Sequence, residues 1–189
     1  MSPARSVRLA VVFAMALAAA PLACADEPEV PNPMVGGAPM FPYRTIVQNA
    51  LNSKDHTTLV AAVKAAGLVE ILQGPGPFTV FAPTNAAFDK LPAGTVETLV
   101  KPENKATLVK ILTYHVVPGK QTAARIRSAI KAGGGVATLA TVQGETLSFS
   151  LYDDKIVLTD SKGGTATITI GNVIQSNGLI HVVDAVLIP

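Results

Sequence analysis

Phe78-Thr79-Val80-Phe81-Ala82-Pro83-Thr84-Asn85-Ala86-Ala87-Phe88 decides how this chain folds. Phe78, Val80 and Phe81 are large apolar side chains on a β-favouring backbone, and Pro83 closes that run because it has no N–H to donate. Thr84 or Asn85 then offers a side-chain acceptor to the orphan N–H groups of a helix that carries Phe88 and Leu91. A core strand turns directly into a capped helix. Upstream, Gly74-Pro75-Gly76-Pro77 forces a turn.

Helices gather on either side of this stretch. Ile46, Val47 and Ala50 begin a short one, and Asp55 stands where it would cap the next, in which Leu59, Val60 and Val63 recur at helical spacing before Gly67. Pro102 suits a first turn ahead of Leu108, Ile111 and Leu112. Gly133-Gly134-Gly135 reads as a joint between a helix and the half of the chain that follows.

From about Ala137 the period becomes two. Leu147, Phe149 and Leu151 alternate with hydroxylated residues, Ile156 and Leu158 follow an Asp153-Asp154 turn, and Ala166, Ile168 and Ile170 alternate with threonines. Asn177-Gly178 predicts a hairpin into Leu179–Ile188, with Gly178 supplying a positive φ. That last run is apolar on both parities apart from His181 and Asp184, so it should be buried on both faces. His181 must then find its partners inside the domain. Helices first and antiparallel strands later make an α+β fold.

Three blocks resemble one family. The stretch from Phe78 to Phe88 is similar to the first signature block of fasciclin-like domains, Tyr114-His115 with its aliphatic neighbours to their Tyr-His segment, and Asn177–Pro189 to their closing block. The resemblance covers Tyr43–Pro189 and makes Thr84, Asn85, Phe88, Gly178, His181 and Asp184 signature positions. It implies a fasciclin-like wedge, a β-sandwich-like sheet pair flanked by several short helices, of the single-domain, exported, bacterial type. It also implies a non-enzymatic module for cell adhesion or for binding a cell-surface or extracellular-matrix protein. In animal relatives the Tyr-His segment is linked to integrin binding, which by position singles out Tyr114, His115, Leu112 and Val116. The competing reading makes these four core residues on a buried strand edge, with amphipathic rings that pair their polar tips.

Ahead of the domain, Arg5 and Arg8 precede an unbroken apolar run from Leu9 to Ala20, and Ala23-Cys24-Ala25 stands before Asp26-Glu27. This is the layout of a secretory signal over residues 1–25, too short to span a bilayer as a helix. A second reading takes Leu22-Ala23-Cys24 as a lipoprotein box with Cys24 acylated, although the usual leucine three before the cysteine is Pro21 here. Residues 26–42, with five prolines and a Gly36-Gly37 pair, read as a tether. Met34 and Met40 flank those glycines and offer two soft thioethers to Cu(I), the basis of an alternative role as a periplasmic copper or small-molecule carrier. Without a nearby histidine or third methionine, they read more simply as packing the arm onto the domain.

Composition narrows the rest. The 189 residues suit one domain, are 49% hydrophobic and only 15% charged, and have a mean hydropathy of +0.39. That excludes a disordered chain, and a single cysteine excludes a disulfide scaffold. The net charge of +2 falls to zero once Arg5 and Arg8 leave with the signal, so no electrostatic footprint for nucleic acid remains. His56, His115 and His181 are widely spaced, and there is no zinc helix motif, nucleophile elbow, phosphate loop or dinucleotide fingerprint. Asp153, Asp154 and Asp160 do not have EF-hand spacing and read as turn residues. The absence of Trp leaves no evident sugar-stacking platform. No cofactor is implied, and the oligomeric state stays open.

Overall fold

A computed structural model describes residues 32–189, so the expected leader over residues 1–25 and Cys24 lie outside the described residues. The described chain begins in a small hairpin, β1 (Met34–Val35) and β2 (Ala38–Pro39), turned by Gly36 and Gly37. Of the stretch read as a tether, residues 26–31 lie outside the described residues, and residues 32–42 pack on the domain. Val35 and Met40 are buried in the domain core, and Gly36 sits so close to Ser53 that a Cβ on it would lie 2.4 Å from the hydroxyl. Burial of two large apolar side chains outweighs the looseness that prolines and glycines suggested.

A helical half follows. α1 (Ile46–Ala50) starts at Thr45, which forms a reciprocal capping box with Gln48. A 3-10 turn (Lys54–His56) leads into α2 (Thr57–Ala66), then α3 (Val69–Gln73). β3 (Phe78–Pro83) leads through Thr84 into α4 (Asn85–Asp89), α5 (Thr95–Leu99), a 3-10 turn at Pro102 and α6 (Lys105–Tyr114). Thr84, not Asn85, is the residue that caps α4, through Ala87 N–H. Asp55 does not cap α2. That task falls to Asn85, twenty-seven residues away, whose Oδ1 accepts from Thr58 N–H at 3.1 Å.

The sheet half comprises β4 (Val116–Pro118), α7 (Ala123–Ala132), β5 (Val136–Ala140), β6 (Thr146–Tyr152), β7 (Lys155–Thr159), β8 (Thr165–Gln175) and β9 (Gly178–Val183). Seven strands form one sheet in the order β4-β3-β9-β8-β7-β6-β5. Every neighbour is antiparallel except β3 and β9, which run parallel. β8 carries two register irregularities between Ile168 and Val173, with Asn172 at a φ of 60°, and the sheet folds over there. Its two ends meet where Val142 N–H donates to Val116 O at 2.8 Å. The expected sheet pair is thus one sheet wrapped into a near-barrel, flanked by short helices.

Phe81 of β3 and Phe149 of β6 touch across the interior with ring centroids 5.4 Å apart. Around them pack Tyr114, Val117, Ile126, Leu147, Leu158 and Val183. A second apolar cluster lies under α1, α2 and α6 and takes in Val35 and Met40. The closing strand is buried along its whole length, but it ends at Val183 rather than Ile188. Gly178 is not needed for a positive φ. It opens β9 opposite Phe78, and a Cβ there would lie 2.0 Å from Phe78 O, so close backbone approach is what excludes a side chain.

Candidate interaction surface

The Tyr-His segment faces inward. Leu112 and Tyr114 lie on α6, His115 ends that helix and Val116 opens β4; all four side chains are buried. Tyr114 therefore belongs to a helix end, not to the strand edge expected. Its hydroxyl donates to Thr146 O at 3.1 Å, and burial raises its pKa. His115 donates from Nδ1 to Ile111 O at 2.8 Å and accepts Leu187 N–H on Nε2 at 3.1 Å. A carbonyl only accepts and an amide only donates, so these contacts select the neutral ring. Burial lowers the pKa of His115, against smaller opposing effects of the Ile111 carbonyl and Asp160. The binding role carried over by position would need these side chains at the surface, whereas all four are enclosed.

The other signature residues are also occupied with holding the fold. His181 is fully buried, donates from Nε2 to Gln121 O at 2.8 Å, receives Asn172 N–H on Nδ1 at 3.4 Å and stacks on Phe81. Burial lowers its pKa as well, opposed in part by the Gln121 carbonyl. Asp184 accepts Thr167 N–H at 2.7 Å and lies 3.8 Å from Lys90 Nζ. Asn85 also donates to Lys54 O and Thr57 Oγ1, and Phe88 is buried. Beside Gly178, Asn177 accepts Ile46 N–H and donates to Leu72 O and Gly74 O, joining α1, α3 and the closing turn.

Neither carrier feature assembles as expected. Met34 is 58% exposed while Met40 is 5% exposed, so the two thioethers serve different environments. An apolar cavity between α1, α2, α3 and α6, with Lys64 and His115 in its wall, has only about 40 Å³ of free volume. That is far below the roughly 300 Å³ at which small-molecule pockets begin. Among the described residues no three His, Cys, Asp or Glu side chains converge as metal ligands, and no helix is long and apolar enough to cross a membrane.

Among the exposed apolar side chains, which also include Leu51, Ile71, Val136, Val142 and Tyr152, one group lies against an ordered seam. Asn32 pairs with the backbone of Ile174 in both directions, at 2.7 and 3.0 Å, and Ser176 N–H donates to Arg44 O at 2.9 Å. These bonds fix the entering chain against the β8–β9 turn. Met34, Tyr43 and Ile174 stand exposed around the seam, Tyr43 by 71%. Tyr43 packs on Phe41 at 5.3 Å, and the Arg44 guanidinium lies 4.9 Å over the Phe41 ring. Tyr, Phe, Met and Arg are the residues enriched in the centres of protein interfaces. The signal was present as Phe41-Pro42-Tyr43-Arg44, but it straddles the boundary drawn between the tether and the domain.

Comparison with known proteins accounts for the three blocks. The family model described as the fasciclin domain matches residues 54–189. The chain belongs to the fasciclin domain family. It is 49% identical over 187 residues to Protein sll1483 of Synechocystis, covering 98% of this chain and 97% of that one. It is 35% identical to the cell surface glycolipoprotein MPB83 of Mycobacterium bovis, over 87% of this chain and 68% of the relative. Immunogenic protein MPB70 of the same species is 37% identical, over 74% and 66%. Among solved structures, a FAS1 domain pair from the insect cell adhesion molecule fasciclin I superposes with a TM-score of 0.69 at 19% identity, over 78% of this chain and 52% of that one. That likeness establishes the fold. The fasciclin match begins at Lys54, so the hairpin and the Phe41–Arg44 run precede it.

Proposed function

We propose that this chain is an exported, non-enzymatic interaction module that adheres to a protein of a cell surface or extracellular matrix through the Met34, Tyr43, Arg44 and Ile174 face. The observation that carries this reading is the Tyr43–Phe41–Arg44 stack, in which Tyr43 is exposed while Phe41 and Arg44 are half-buried and hold it in place before any partner arrives. Side chains already ordered lose little entropy on binding, so such a stack favours affinity. Fasciclin domains are linked to adhesion and to surface proteins, and the names of two relatives, a cell surface glycolipoprotein and a cell adhesion molecule, agree with that use. The expected leader over residues 1–25 supports export, either free after cleavage or held to a membrane through an acylated Cys24. In the second case the module would be displayed in clusters, and weak contacts would add.

Adhesion of the purified mature protein to the envelope of its own host cells tests the reading. Tyr43→Ala with Arg44→Ala should reduce retention at least tenfold while the thermal transition stays in place. Tyr114→Phe should leave retention unchanged. Retention that survives the double substitution would reject this face.

A further inference from the structure

The outer face of β6, β7 and β8 is covered with hydroxyls. Leu147, Phe149, Leu158 and Ala166 turn inward and are buried, so the residues between them lie on the opposite face. Strand register sets these side by side. Ser150 is paired with Val157 and Val157 with Thr167, while Ser148 is paired with Thr159 and Thr159 with Thr165. Serine, threonine and valine are under-represented among the side chains that dominate protein interfaces, so this face is poorly suited to a protein partner.

A groove of about 480 Å³ opens on the same face, a volume within the range of small-ligand sites. It is lined by the half-buried Val157 and Thr167 and by the exposed Tyr152, Asp153, Lys155 and Thr169. Tyr152 is the one aromatic ring in the lining. It ends β6 opposite Lys155 and stands 71% exposed, an apolar surface without cover. Asp184 completes the lining, and its carboxylate is already placed. One oxygen accepts Thr167 N–H at 2.7 Å and the other lies 3.8 Å from Lys90 Nζ. Thr169 Oγ1 donates to Val182 O at 3.2 Å, which orients the hydroxyl and leaves its lone pairs to accept. Polar groups held in this way lose little freedom when a ligand arrives. Asp153 and Asp184 are balanced by Lys155 and Lys90. A polyanion or a polycation would therefore meet repelling charges as well as attracting ones, and a neutral ligand meets no such penalty.

From these observations we infer that the β6–β7–β8 groove binds a neutral polysaccharide. The C–H face of one sugar ring packs on Tyr152. Its hydroxyls donate to the Asp153 and Asp184 carboxylates and accept from the Lys155 ammonium and the Thr167 hydroxyl. Each residue of such a polymer offers an apolar face flanked by groups that both donate and accept, which is the complement of this lining. Composition offers no Trp as a stacking platform, and Tyr152 takes that place. The groove is separate from the Tyr43 face, since Ile174 stands roughly 15 Å further along β8 than Thr169.

Affinity electrophoresis of the purified protein in native gels tests the site. The probe is protease-treated polysaccharide released from the envelope of the host's own cells and divided by anion exchange into neutral and acidic fractions. The neutral fraction should retard the wild type. Tyr152→Ala should weaken that binding by about tenfold, and Tyr152→Phe should keep most of it. Thr167→Val should weaken it by about threefold. All three variants should keep the wild-type Tm, and Tyr43→Ala should be retarded as the wild type is. No retardation by the neutral fraction, retardation by the acidic fraction alone, equal retardation of Tyr152→Ala, or loss in Tyr43→Ala would each overturn the assignment. Binding seen only before protease treatment of the probe would give the groove to a protein and overturn it as well.

Discussion

His115 holds the end of the chain: its Nε2 accepts the backbone N–H of Leu187, seventy-two residues later, at 3.1 Å. Because Nδ1 of the same ring donates to Ile111 O, one imidazole joins the end of α6 to the segment after β9. The most recognisable dipeptide in the sequence is thus a structural clasp. Its chemistry requires an unprotonated ring, since a proton on Nε2 would face an N–H donor.

This clasp makes stability depend on pH. His56, His115 and His181 all have pKa values lowered chiefly by burial. Folded-state values below the unfolded value mean that the unfolded chain binds protons first as pH falls through about 6.5. Stability should therefore be flat above about pH 7 and decline below about 6.5, by up to about 1.4 kcal/mol per pH unit for each histidine that stays neutral when folded. Urea midpoints measured at pH 8, 6.5 and 5 check this. An unchanged midpoint between pH 7 and 5 would contradict it.

Gly178 should tolerate no side chain. The atom that a Cβ would strike is a backbone oxygen in the parallel β3–β9 pairing, which cannot swing away. Gly178→Ala is expected to cost about 3 kcal/mol, as severe overpacking does, and to lower Tm by about 8 °C. Calorimetry on the purified variant measures both. A loss under about 1 kcal/mol would show that the strands separate easily.

Capping of α2 gives a paired comparison. Asn85→Ala removes the acceptor from Thr58 N–H and two further bonds, and should cost about 1.5 kcal/mol. Asp55→Ala removes an exposed side chain with no capping bond, and should stay within about 0.5 kcal/mol of the wild type. Chemical denaturation of the two variants side by side decides which residue serves the helix.

Local patterns were legible where one element decides them. Leu147, Phe149, Ile156 and Leu158 are buried at the alternate positions their spacing implied, and the first block forms strand, stop and capped helix. α3 and α5 were not read, because neither has a side-chain cap and each spans only five residues. The parallel β3–β9 pairing and the cap reaching from Asn85 to α2 join distant segments, and no local period encodes them. The Tyr43 patch was hidden for a related reason. Prolines and glycines mark where a chain turns, but they do not say whether the turn docks.

The hairpin supplies the last test. Asn49 is fully buried in α1, where its side chain donates to Phe41 O at 2.7 Å, accepts Phe41 N–H at 3.2 Å and also meets Gln175. Deleting residues 32–42 from the chain removes both Phe41 partners and exposes the surface that Val35 and Met40 covered. Two large apolar side chains are worth about 2 kcal/mol each when buried, and a stranded amide costs about 1–3 kcal/mol more. Some of this is offset by the backbone entropy that the shorter chain no longer loses. A net loss of about 3 kcal/mol, or about 8 °C in Tm, is expected. A true tether would contribute nothing, so an unchanged transition would return residues 32–42 to that role.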